Sequence, residues 1–272
     1  MQAGWKRNVA LFLASQAISL FGSALVQLAI TWHITLTTQS GIMMTLSIVC
    51  GFLPPLFLSP FAGVWADRYD RKLLIVAADT MIALCTLLLA LLFLRGYDSI
   101  WLLFVASAIR SAGAGIQMPA INAFLPQFVP QKSLPRANAG NGMTQSTMTL
   151  LSTTLSAALL TVASIEAIFF VDVVTAAIAV TILLGFLHVP PHERAREAQR
   201  TSYLADLRAG VTYIGKHEYL KAFFLFNAVF LSVIGPIAFL TPLQVARSFG
   251  EEVWRLSAIE VGFSLGMLLG GL

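Results

Sequence analysis

Long apolar runs separated by short polar breaks dominate the chain. Each run is about long enough for an α-helix to cross some 30 Å of hydrocarbon at 1.5 Å per residue. Membrane-spanning strands would be about half as long and would alternate apolar with polar residues. The pattern therefore predicts eight transmembrane helices, at roughly 8–32, 42–66, 73–94, 100–125, 143–163, 167–188, 221–245 and 254–272.

The composition is that of a protein whose solvent is lipid. Of the 272 residues, 57% are hydrophobic and 11% are charged, whereas about 25% are charged in an average soluble protein. The predicted fold class is an all-α, polytopic membrane protein. Cys50 and Cys85 both lie inside apolar runs and far from any histidine cluster, so they indicate neither a disulfide framework nor a metal site.

The 17 Lys and Arg residues are unevenly placed. With the N-terminus in the cytoplasm, thirteen of them face the cytoplasm, three face the other side, and Arg110 lies within a run. This is the positive-inside bias of membrane proteins, and the reverse orientation would invert it. The net charge of +4 therefore reflects topology, and a nucleic-acid partner is not expected. The first run is too long for a signal peptide and stays in the protein.

A polar connector divides the runs into two groups. The short breaks between the first six runs favour consecutive helices packed antiparallel. Residues 189–220 then form a longer segment that opens with Pro190 and Pro191, which stop the sixth helix. Within it, YLADLRAGVTYI (203–214) spaces its apolar residues with the helical period, which indicates an amphipathic helix on the cytoplasmic membrane surface. A loose charged linker is the alternative.

This layout is typical of transporters built from two six-helix halves. We therefore divide the chain into a six-helix half at 1–188, a connector at 189–220, and the start of a second half at 221–272. The last run reaches Leu272 without a basic residue to anchor it. We expect a truncated product whose natural reading frame supplies about four more helices.

One short stretch, GVWADRYDRK (63–72), concentrates charge between two uncharged runs. Anchoring in the cytoplasm accounts for Arg68, Arg71 and Lys72. It does not account for Asp67, because a carboxylate at a helix C-terminus faces the negative end of that helix dipole. A partner elsewhere, formed in one conformation and broken in another, would make this stretch a latch.

The same stretch resembles the signature between helices 2 and 3 of the major facilitator superfamily, Gly-x-x-x-Asp-Arg-x-Gly-Arg-Arg/Lys. The matching positions are Gly63, Asp67, Arg68, Arg71 and Lys72, while Asp70 stands where most of that family has glycine. The segments WKRNVALFLASQAISLFGSAL, IRSAGAGIQMPAINAFLPQFVP, RANAGNGMTQS, FFVDVVTAAIA and GFSLGMLLGGL extend the likeness. Together they resemble the drug-exporter branch that includes macrolide efflux proteins and the enterobactin exporter, with the macrolide type closer.

The resemblance implies a cytoplasmic gate and a proton-coupling centre. Asp67 would bind the far half of the transporter in the outward-open state, with Arg68 and Arg71 holding the turn. Arg110 resembles an intramembrane arginine linked to proton transfer, although a fixed ion pair that only holds helices together is the alternative. Counting helical rise places Asp79 at the depth of Arg110, so we expect the two to pair and a bound proton to break the pair. The further embedded candidates, nearer the outer surface, are Asp172 and Glu260, for which contact with interfacial water alone is the alternative.

The family's substrate cavity is lined by helices 1, 4, 5 and 7. A cavity with few fixed charges suits a large, mostly apolar compound with one or two polar groups. For each candidate, a hydrogen bond between helices is the alternative to a substrate contact. The candidates are Gln16, Gln27, Trp32, Gln117, Asn141, Gln145 and Asn227.

The expected function is proton-driven export of amphipathic, macrolide-like compounds across the bacterial inner membrane, with no cofactor beyond the proton gradient. The helix 5 region, TMTLLSTTLSAALL, lacks the glycine and proline of the antiporter signature, although its small residues still permit close packing. Alternatives are uptake, export of siderophores or other metabolites, and a membrane scaffold that does not transport. An enzyme is not expected, because HExxH, a serine nucleophile elbow and a Walker A motif are all missing from the sequence.

Overall fold

The structure is a computed structural model that describes residues 4–189, 203–250 and scattered positions between 252 and 266. The described residues are helical and include no strand, which confirms the all-α prediction. Five helices, α1 to α4 and α6, are long and apolar enough to span a membrane. The helices are α1 (Trp5–Thr38), α2 (Gly41–Arg68), α3 (Arg71–Leu94), α4 (Ile100–Phe128), α5 (Leu134–Val162), α6 (Ile165–Gly185), α7 (Tyr203–Lys216) and α8 (Glu218–Phe249).

The helix boundaries follow the apolar runs except at α5. That helix begins at Leu134, directly after a short 3-10 turn at Gln131–Ser133, rather than near residue 143. Pro135 lies in its first turn, where a missing N–H costs nothing. The polar segment RANAGNG is therefore helical, and it was missed because hydropathy detects only the membrane-embedded part of a helix.

Helices that are consecutive in sequence are mostly not the ones that pack together. In the described chain, α1 packs mainly on α5 and α6, α4 packs on α2 and α3, and α3 also packs on α6. The prediction of consecutive antiparallel neighbours therefore holds for α3 and α4 alone. Short loops determine where consecutive helices end, but they do not determine which helices pack closely. Close packing requires small side chains at the contact. A Cβ on Gly115 of α4, for example, would lie only 2.8 Å from Pro55 Cα of α2.

The bundle has an apolar cluster at each end and a polar layer between them. We call the end that carries Lys6, Arg71, Lys72 and Lys132 the basic end. The basic-end cluster includes Phe12, Ile75, Phe124, Phe128 and Leu183. The opposite cluster includes Leu25, Ile30, Leu89, Phe104 and Phe169. The buried polar layer between them consists of Ser15, Gln16, Ser19, Asp79, Thr86, Ser107, Arg110, Gln117 and Asp172.

The connector contains the helix that its apolar spacing predicts. Helix α7 runs from Tyr203 to Lys216 and contacts both α2 and α8, so a linker without structure is excluded for this stretch. Residues 190–202 of the connector, and most of the predicted eighth span at 254–272, lie outside the described residues. The placement of α7 on a membrane surface stays a prediction.

Candidate functional site

The polar layer contains an ion pair that we call the Asp172 centre. Arg110 of α4 is paired with Asp172 of α6, and both side chains are buried. Thr86 of α3 donates a 2.9 Å hydrogen bond to Asp172 Oδ2, and Ser23 of α1 donates a 3.1 Å bond to Oδ1. Arg110 Nη2 donates to the Ser23 carbonyl at 3.0 Å. One charge pair therefore ties four helices together.

This geometry corrects one expectation about charge and decides an alternative. Arg110 pairs with Asp172 rather than with Asp79, because it lies level with Thr86, seven residues and about 10 Å further along α3 than Asp79. The alternative that Asp172 only meets interfacial water is excluded, since its side chain is 0% exposed. Distance along a helix does not give the direction in which a side chain points, and the pairing depends on both.

A second group of polar side chains surrounds Asp79, and we call it the Asp79 centre. Ser19 Oγ of α1 donates a 2.6 Å hydrogen bond to Asp79 Oδ1, and Gln117 Nε2 of α4 donates a 2.8 Å bond to the same oxygen. Among the residues that the structure describes, the other carboxylate oxygen, Oδ2, is buried with no hydrogen-bond partner. Asp79 itself is 2% exposed.

Gln16 is a third polar side chain on this side of the layer. It lies one helical turn from Ser19 on the same face of α1. It is fully buried, and within the described part of the chain neither its Nε2 nor its Oε1 has a hydrogen-bond partner. Buried amide groups without a hydrogen-bond partner are rare, because removing a polar group from water costs free energy.

The charged turn at 63–72 is fastened to two other helices. Arg71 donates hydrogen bonds to the Ala66 carbonyl at 2.8 Å and to the Ala123 carbonyl of α4 at 2.9 Å. Lys72 Nζ donates to the Leu187 carbonyl, just after α6, at 2.7 Å. Both cations thus bind carbonyls near helix C-termini, where the helix dipole favours positive charge.

Asp70, which departs from the family signature, caps α3. Its side chain accepts a 2.9 Å hydrogen bond from the Lys72 backbone N–H, and its φ of −61° is ordinary for any residue. Aspartate is among the best helix N-caps, so the turn does not require the glycine that the family has there.

The remaining gating residues are placed at the same turn without a demonstrated role. The Asp67 side chain is 57% exposed and lies 3.5 Å from Arg71, and Arg68 is buried at the end of α2. A Cβ on Gly63 would meet no atom of the described residues within 4 Å. The expected latch between Asp67 and a second half stays a prediction.

The predicted cavity residues divide by burial. Gln16, Trp32, Gln117 and Asn141 are buried, whereas Gln27, Gln145 and Asn227 are partly exposed. For Gln117 the alternative of a hydrogen bond between helices holds, because it binds Asp79. Asn227 donates to the Phe223 carbonyl one turn earlier in its own helix. Substrate contact stays a prediction for all seven, and Glu260 lies outside the described residues.

Helix α8 contacts the six-helix bundle at the end opposite the basic end. Trp32 of α1 packs against Val245, and Arg247 Nη2 donates a 2.9 Å hydrogen bond to the Gln39 carbonyl that ends α1. Tyr219 and Phe223, near the start of α8, are exposed. Among the residues that the structure describes, these contacts between α1 and α8 lie at one end.

Several residues of the layer escaped the sequence analysis. Ser19, Ser23 and Thr86 hold the two carboxylates, and Ser152 of α5 donates a 3.0 Å hydrogen bond to the Phe21 carbonyl of α1. A signal for Thr86 existed, since it lies seven residues from Asp79 on one helix face. The described residues hold no group of three His, Cys, Asp or Glu side chains able to bind a metal.

Comparisons with known proteins extend these observations. The Major Facilitator Superfamily profile matches residues 8–272. Macrolide efflux protein A of Streptococcus pyogenes is 30% identical over 268 residues, which cover 98% of this chain and 66% of that protein. Macrolide efflux protein A of Enterococcus faecalis is 29% identical over 234 residues, covering 86% of this chain and 72% of that protein. The chain thus spans a little under two thirds of the length of the first relative.

A solved structure shares the fold. The POT family transporter PepTSo matches 96% of this chain and 54% of its own length, with a TM-score of 0.56 and 15% sequence identity. The low identity limits this likeness to the arrangement of the helices.

Proposed function

Because the chain belongs to the Major Facilitator Superfamily, we propose that it exports amphipathic small molecules, macrolide-type antibiotics first, in exchange for protons. The observation that carries the proposal is the 30% identity to a macrolide efflux protein over 98% of the chain. Family and relatives are transporters rather than enzymes. Drug, protons and lipid are the partners of this function, and a nucleic acid is not among them.

The proposed mechanism is alternating access between two halves. Residues 1–188 form the first half, 189–220 connect the halves, and the second half begins at 221. Trp32 of α1 contacts α8, and Arg247 of α8 contacts the end of α1. These contacts fit a state in which the end away from the basic end is closed. The two halves would rock about a site near the membrane midplane.

The proposed orientation puts the basic end in the cytoplasm of a bacterium, with the protein in its inner membrane. This follows from the positive-inside rule, since Arg71, Lys72 and Lys132 all lie at that end. The turn at 63–72 would then act at the cytoplasmic gate, where Asp67 would contact the second half.

Accumulation of a radiolabelled macrolide, erythromycin, in efflux-deficient bacteria tests the proposal. Cells would produce the chain of 272 residues or the same chain extended to the natural stop of its gene, each with and without a protonophore. We expect the extended chain to lower accumulation and the protonophore to restore it. Asp98→Asn, at an exposed residue between α3 and α4, is a suitable expression control.

Two outcomes would contradict the proposal. Unchanged erythromycin accumulation with either chain removes the macrolide assignment, and a panel of siderophores and other amphipathic compounds then identifies the transported class. Export that continues undiminished with the protonophore present removes the proton as the driving ion.

A further inference from the structure

We propose that Asp79, held by Ser19 and Gln117, is the group that binds the exchanged proton, and that the Arg110–Asp172 pair is a structural link. This inference rests on the proposed function, because it names the proton site of the exporter. It reverses the expectation that the intramembrane arginine and its partner carry the proton.

The charges of the polar layer point to a proton. The layer holds two carboxylates, Asp79 and Asp172, against one guanidinium, Arg110. Arg110 is paired with Asp172, and Asp79 forms no ion pair with any residue that the structure describes. A lone carboxylate out of water carries a large desolvation cost unless a cation or a proton neutralises it. One proton on Asp79 would leave the layer uncharged.

The geometry of Asp79 is suited to gaining and losing that proton. Both hydrogen-bond donors, Ser19 Oγ and Gln117 Nε2, bind Oδ1, so the carboxylate keeps its position in either state. The oxygen without a partner in the described structure, Oδ2, is the one left to carry the proton. Protonation creates an O–H donor there, and Gln16 is a buried amide one turn from Ser19 with an unused acceptor.

The neighbouring ionisable groups support a proton-binding role for Asp79 and a structural role for the Arg110–Asp172 pair. Asp172 on α6 is an ionisable group whose charge acts on Asp79, and Arg110 on α4 neutralises it. From α1, Ser19 binds Asp79 and Gln16 lies one turn from Ser19; neither side chain ionises in water. Cys85 lies on α3 itself, two turns away from Asp79. In the described layer, Asp79 is thus the carboxylate that no cation neutralises.

The exchange step balances without a further reactant. When drug binds, the O–H bond at Asp79 Oδ2 breaks and the proton passes to water. The carboxylate that remains accepts the bonds from Ser19 and Gln117. When the site next opens to the side of higher proton concentration, a proton from water rebinds Oδ2 and the drug leaves.

The test is proton release on drug binding. Purified full-length protein in unbuffered detergent solution with a pH indicator would receive erythromycin. The wild-type protein is expected to release protons, and the Asp79→Asn variant is expected to lose that release. Asp98→Asn is the matched control, the same chemical change at an exposed residue between α3 and α4, and it is expected to keep the release.

A second measurement tests the inference even if the Asp79→Asn variant folds poorly. The dissociation constant of erythromycin for wild-type protein is expected to rise as pH falls, since proton and drug compete, and Asp79→Glu is expected to keep this dependence. Proton release by Asp79→Asn equal to that of wild type would overturn the inference while the exporter proposal stands. Drug binding that requires sodium and releases no proton would also overturn it. A wild-type protein that neither binds nor transports drug contradicts the proposed function itself.

Discussion

Asp79 and Asp172 lie in one buried layer, about 10 Å apart along the bundle, and differ in almost everything around them. Asp172 has a guanidinium and two hydroxyl groups on its two oxygens. Asp79 has two neutral donors on one oxygen and no partner for the other in the described structure. Burial alone therefore does not assign a role to a carboxylate. A carboxylate whose two oxygens both have partners resists protonation, whereas one with an oxygen that lacks a partner can accept a proton.

Removing the cation from the Asp172 centre is expected to have the largest effect. Arg110→Leu leaves Asp172 buried without a counter-charge, which lowers the free energy of unfolding by about 3–5 kcal/mol. SDS titration of the protein in mixed micelles measures the change. Adding Asp172→Leu to the same protein is expected to recover most of the loss, since apolar residues often replace a buried pair without cost. A double variant as unstable as the single one would contradict the structural role.

Packing around the Asp172 centre offers the next test. A Cβ on Gly22 would collide with Thr175 Oγ1 and lie 3.0 Å from Asp172 Cα. Gly22→Ala is therefore expected to lower the free energy of unfolding by about 1–3 kcal/mol through overpacking. Gly142→Ala is the matched control, because a Cβ there would meet no described atom within 4 Å and alanine favours helices. Equal effects at both glycines would show that α1 and α6 are not tightly packed.

The Asp79 centre is expected to tolerate loss of its charge. Asp79→Asn keeps an oxygen that accepts from Ser19 and Gln117 and matches the protonated carboxyl group in size and charge, so the free energy of unfolding is expected to change by less than about 1 kcal/mol. Asp172→Asn, measured by the same SDS titration, is expected to lose about 3 kcal/mol because Arg110 is left unpaired. Equal losses of unfolding free energy in Asp79→Asn and Asp172→Asn would show that the two centres do not differ in their contribution to stability.

Outside both centres, Asp67 is expected to matter for transport and little for stability. Its side chain is 57% exposed and its ion pair with Arg71 is long at 3.5 Å, so Asp67→Asn is expected to change the free energy of unfolding by less than about 1 kcal/mol. Erythromycin efflux is expected to fall sharply if Asp67 closes a gate. Efflux equal to that of wild type would refute the latch.

The sequence was sufficient for most of the helix boundaries and for the charged residues of the polar layer. Helix α3 was predicted at 73–94 and lies at Arg71–Leu94, because an apolar helix in lipid must be about as long as the membrane is thick. Arg110, Asp79 and Asp172 were also identified, since a charged residue inside an apolar run is costly and needs a reason.

The pairing of those residues was not predictable from the sequence. Arg110 meets Asp172 rather than Asp79 because α4 lies between α2 and α3 while α3 also packs on α6. That arrangement depends on contacts such as that of Gly115 with Pro55, and the hydropathy pattern does not predict such contacts. Ser19 and Ser23 were missed for a related reason: a serine in an apolar helix looks the same whether it faces lipid, its own helix or a carboxylate.

The most direct test of the contrast is proton release by the Arg110→Leu, Asp172→Leu double variant on addition of erythromycin, measured with the full-length protein in unbuffered detergent solution. This variant removes the ion pair and leaves Asp79 with Ser19 and Gln117. The folded double variant is expected to release protons still, because Asp79 is intact. A folded double variant that binds erythromycin and releases none would place the proton on the ion pair and refute its assignment to Asp79.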